Sequence, residues 1–70
     1  MVSMVESDGI LYVEKLRCDA YFSVQGIARL KLLKLDYDFW SHAAPGEYRD
    51  AWKETAKYCN SMLQKLGAFR

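Results

Sequence analysis

The chain has 70 residues, the size of one domain, and 51% of them are apolar, including two Trp, five Tyr and three Phe. Ten basic and nine acidic side chains leave a net charge of +1, which neither calls for nucleic acid nor suggests an acidic mimic of it. A chain this short hides only about 60% of the surface its unfolded form exposes, so this much apolar surface favours a partner or a homodimer.

Cys18 and Cys59 are too few for a disulfide framework. The first residues, MVSMVESDG, have neither a basic n-region nor an apolar h-region. No run approaches the ~18 apolar residues of a membrane span. These features point to a soluble cytoplasmic protein with reduced thiols and no membrane association.

Residues 1–7 read as a loose tail on a single domain spanning 1–70. Asp8 can cap a helix beginning near Gly9. From there to Ala44 the only strong breaker is Gly26. Two readings compete for residues 10–41. ILYV and AYFSV carry the β-branched and aromatic residues of strands, and Leu35, Tyr37 and Phe39 alternate with charged neighbours. That alternation slips between Leu32 and Leu33, and KLRCD offers only Asp19 as turn chemistry.

The helical reading explains more positions. Val13, Leu16, Ala20 and Val24 form one stripe at spacings of three and four, and Leu11, Cys18 and Phe22 form a thinner one opposite. Over residues 27–42, Ala28, Leu32, Leu35 and Phe39 share one face of a helix. Leu30, Leu33, Tyr37 and Trp40 share the opposite face. Lys31, Lys34 and Asp38 separate them on one edge, Arg29 and Asp36 on the other. Lys34 and Asp38 can pair at i,i+4.

Residues 45–67 read as a strongly amphipathic helix. Tyr48, Trp52, Thr55, Ala56, Cys59, Met62, Leu63 and Leu66 fall within an arc of about 120°. Pro45 suits its first turn, Glu47 and Lys65 suit its dipole, and Gly67 suits a left-handed C-terminal cap. The expected fold is all-α: helices at about 9–25, 27–42 and 45–67, the last two forming an antiparallel hairpin. The alternative is α+β, with a small antiparallel sheet covered by the C-terminal helix.

Functional chemistry is sparse. His42 suits a helix end. It would need Cys18, Cys59 and a carboxylate to converge for a metal site, and no ligand spacing supports that. Asp36 and Asp38 would share a face only on a strand. Cys59 lies in an apolar stripe, which predicts a buried, inert thiol. No phosphate-cradling loop or nucleophile elbow occurs, so neither catalysis nor a cofactor is expected. Arg49, Lys53 and Lys57 form a basic strip that could track a phosphate backbone, with Asp50 and Glu54 beside it. A small nucleic-acid-binding protein is therefore the alternative reading. A helix with two apolar faces must be covered on both. The leading expectation is thus a non-enzymatic protein-interaction module, with Leu30, Leu33, Tyr37 and Trp40 at the interface. Small regulatory subunits, adaptors and inhibitors, including those of phages and mobile elements, work in this way.

Overall fold

The computed structural model describes the backbone of residues 2–68 and the side-chain surroundings of residues 9–68. It is all-α. The elements are α1 (Val2–Ala20), α2 (Ile27–Ala43) and α3 (Gly46–Lys65), with no strand among the described residues. The strand reading fails because residues 30, 37, 41 and 44 are buried together, a spacing of seven, four and three that only a helix turns to one side.

The first helix is displaced from its expected position. It starts at Val2 rather than near Gly9, so residues 2–7, read as a tail, are helical backbone. They contain neither Gly nor Pro, and nothing interrupts the helix at Asp8. It ends at Ala20 rather than Gln25. Beyond it, Ser23 Oγ accepts the Gly26 N–H at 3.0 Å, a local side-chain bond that competes with helix continuation. Gly26 is buried here, and a Cβ at this position would sit 1.9 Å from the Tyr21 carbonyl oxygen. The turn therefore closes only around a residue without a side chain.

Two residues, Ala44 and Pro45, join α2 to α3. Ala44 is extended at φ −70° and ψ 155°, as a residue preceding proline must be. Pro45 stands one position before the helix, not inside its first turn. At the other end Gly67 adopts φ 76°, as expected. The Ala68 N–H donates to Leu63 O at 2.9 Å and the Gly67 N–H to Gln64 O at 3.0 Å, so a Schellman cap closes α3.

Leu30 lies against Cys59, Tyr37 against Trp52, and Ala44 against Arg49, so α2 and α3 run antiparallel. Glu14 meets Tyr37 while Cys18 and Asp19 meet Cys59 and Tyr58, so α1 runs parallel to α3. The amphipathic α3 is the element on which both others pack. The core comprises Cys18, Leu30, Tyr37, Cys59, Met62 and Leu63, with Leu33, Trp52 and Leu66 against it. The Cα envelope measures 40 × 21 × 14 Å. Its short dimension holds two helices packed about 10 Å apart and no third layer.

A candidate protein-interaction face on α2

The two apolar faces of α2 have opposite fates, and the assignment differs from the expected one. Leu30 is 0% exposed and Tyr37 2% exposed, both facing α3, and Leu33 packs against the same core. Trp40 is half-exposed and stacks on Trp52 at 6.1 Å between ring centroids. The face expected at an interface is therefore mainly the one the chain covers itself. The physical reason lies in the link. Ala44 is buried in the turn and continues the line of Leu30, Tyr37 and Ser41, so the short connection rotates that line inward.

The face turned away from α3 is Ala28, Leu32, Leu35 and Phe39. Leu32 is 61%, Leu35 65% and Phe39 60% exposed. The wheel places these residues within about 60° of arc, so they form one continuous ridge. The Phe39 ring meets Trp40 edge-on at 5.2 Å, which extends the apolar surface toward the C-terminal end of α2. Single exposed leucines are ordinary on a protein surface, whereas this aligned row at helical spacing makes one continuous apolar patch. Lys31, Lys34 and Asp38 border the row on one side, with Lys34 Nζ donating to Asp38 Oδ2 at 2.9 Å. Arg29 and Asp36 border it on the other.

No family model, curated protein or solved structure matches this chain. Its own geometry therefore carries the functional argument.

The basic strip on α3 is only partly available. Arg49 Nε donates to the Ala44 carbonyl at 3.0 Å, tying α3 to the link, and Lys57 lies 3.5 Å from Glu54. Lys53 is exposed between them. His42 lies in the last turn of α2, as expected of a helix-end residue, and is exposed, while Arg49 reaches the carbonyl that follows the helix.

Cys18 and Cys59 meet as free, buried thiols. Hydrogen bonds from Cys59 and Tyr37 would draw Cys18 down to about 7, against burial and the nearby carboxylates of Glu14 and Asp19. Both donors are committed elsewhere. Cys59 donates to Leu30 O at 3.2 Å and the Tyr37 hydroxyl to Glu14 Oε1 at 2.9 Å. The Cys18 thiol, 3.6 Å from the Tyr37 oxygen, is thus left to donate and stays neutral. Burial, together with the hydrogen bond it donates to Glu14, pushes the Tyr37 hydroxyl well above its ordinary range. The cluster is a buried hydrogen-bonded network holding α1 to α2 and α3.

Asp36 is exposed and Asp38 is paired with Lys34, so the helix separates the two carboxylates. Among the described residues no three His, Cys, Asp or Glu side chains converge. An open groove of about 280 Å³ lies between α2 and α3, lined by Lys34, Asp38, Ala56, Lys57 and Asn60. No helix of the described residues is long and apolar enough to cross a membrane.

Proposed function

We propose that this chain is a non-enzymatic protein-interaction module that docks through the outer face of α2. The observation that carries the reading is the alignment of Leu32, Leu35 and Phe39, each at least 60% exposed, on one side of one helix. Covering the exposed part of each would contribute about 1–2 kcal/mol, enough together for specific association after its entropic cost. The neutral, hydrogen-bonded thiols support a role without nucleophilic chemistry, and two neighbouring unlinked cysteines suit the reducing cytoplasm. A regulatory subunit, an adaptor and an inhibitor all act by occupying a surface in this manner.

The test is affinity capture from the native host with the wild-type chain and a Leu35→Asp/Phe39→Asp variant. Both positions are exposed, so helicity by circular dichroism should be unchanged while the captured species is lost. Identical capture by the two chains would refute docking through this face.

A further inference from the structure

The charged residues that border the outer face of α2 run from basic to acidic along the helix. We propose that the occupant of this face is a second copy of the chain, with the two α2 helices antiparallel about a two-fold axis level with the midpoint between Leu32 and Leu35. This deepens the docking reading above and rests on it. Basic residues bordering the ridge occupy the first half of α2, at Arg29, Lys31 and Lys34, and acidic ones the second half, at Asp36 and Asp38. A parallel pair would set like charges side by side. An antiparallel pair sets each basic half against an acidic one.

The register follows from the two-fold operation, which keeps each edge of one helix against the same edge of the other. Leu32 then lies level with Leu35 of the second copy. Ala28, the smallest residue of the ridge, lies level with Phe39 of the second copy, the largest. Along one edge Lys31 comes within about 3 Å of rise of the other copy's Asp38, and along the opposite edge Arg29 does the same with the other copy's Asp36. Lys34 engages only Oδ2 of Asp38, so Oδ1 is open to the incoming lysine. The apolar row and the Lys31–Asp38 and Arg29–Asp36 pairs thereby meet counterparts supplied by the same sequence, while Lys34, level with the other copy's Lys34, keeps its own partner Asp38. A two-fold contact of this kind closes at two copies and leaves no second ridge exposed on α2. With one helix face per copy, the interface falls below about 1,200 Å², the size of weak, transient contacts.

Sedimentation equilibrium from about 1 µM to about 1 mM tests this directly. The wild-type chain should pass from monomer to dimer and stop there. Two charge variants, Arg29→Asp/Lys31→Asp and Asp36→Lys/Asp38→Lys, should each weaken self-association by at least about tenfold, and mixing them in equal amounts should restore a one-to-one heterodimer. A wild-type chain that stays monomeric throughout would overturn the proposal. So would variants that dimerise like the wild type. If the chain stays monomeric while host capture still depends on Leu35 and Phe39, the second-copy assignment is wrong and docking through the face stands. If capture is also indifferent to those residues, both fail.

Discussion

Leu63→Ala should lower the stability of the fold by about 3–5 kcal/mol, measured as a shift in the urea midpoint of dilute protein. Leu63 is fully buried among Cys18, Leu30, Cys59 and Met62, at the level where all three helices meet. Neighbouring side chains cannot follow the lost methyl groups inward, because Cys59 is tied to the Leu30 carbonyl and Tyr37 to Glu14. A domain of this length has only about 4–10 kcal/mol of stability in total, so the variant should be largely unfolded at moderate temperature. The matching control is Leu35→Ala. The same chemical change at a residue 65% exposed should cost no more than about 0.5 kcal/mol in protein dilute enough to be monomeric. Equal losses at the two positions would show that the faces of α2 and α3 are wrongly assigned.

Gly26→Ala should be the most damaging single methyl group that can be added to the chain. The new carbon would stand 1.9 Å from the Tyr21 carbonyl oxygen, which is backbone and cannot rotate away. Relieving the clash means opening the turn. That breaks the Gly26 N–H bonds to Ser23 and moves the Gly26 carbonyl that receives the Leu30 N–H at 2.9 Å. The cost should be about 1–3 kcal/mol or more, read as a lower melting temperature with α2 frayed at its first turn. The contrast is Gly46→Ala, where nothing lies within 4 Å of the added carbon. Alanine there removes glycine's entropic cost in a helix and should stabilise by about 0.5–1 kcal/mol. An unaffected Gly26→Ala protein would mean that the 21–26 turn differs from the one described.

The third helix could be read almost completely from residue order. Its period, its dipole-matched ends and the left-handed Gly67 are local properties, and local physics decides them. The end of α1 was harder. Tyr21 to Gln25 contains helix-compatible residues, and what stops the helix is a side-chain bond from Ser23 together with a backbone contact at Gly26, both visible only after the turn has closed. The faces of α2 were hardest. Two apolar stripes of nearly equal strength flank that helix, and periodicity alone cannot rank them. Tertiary geometry made the choice through Ala44, which is buried in the link and draws Leu30 and Tyr37 inward with it. The expectation that one face would lack cover within the chain holds, but the exposed residues are Leu32, Leu35 and Phe39. The same ambiguity affected α1, where the thinner stripe carries the buried Cys18 and the broader one leaves Val13 and Leu16 half-exposed.

Residue-resolved amide spectra of the unmodified chain, recorded over a dilution series, bear most directly on where it makes contact. Signals from residues 28–39 on the outer side of α2 should move with concentration while those of α3 near Lys53 and Lys57 hold still. Shifts confined to α3, or none on α2 at any concentration or with captured partner added, would contradict the placement of the docking surface.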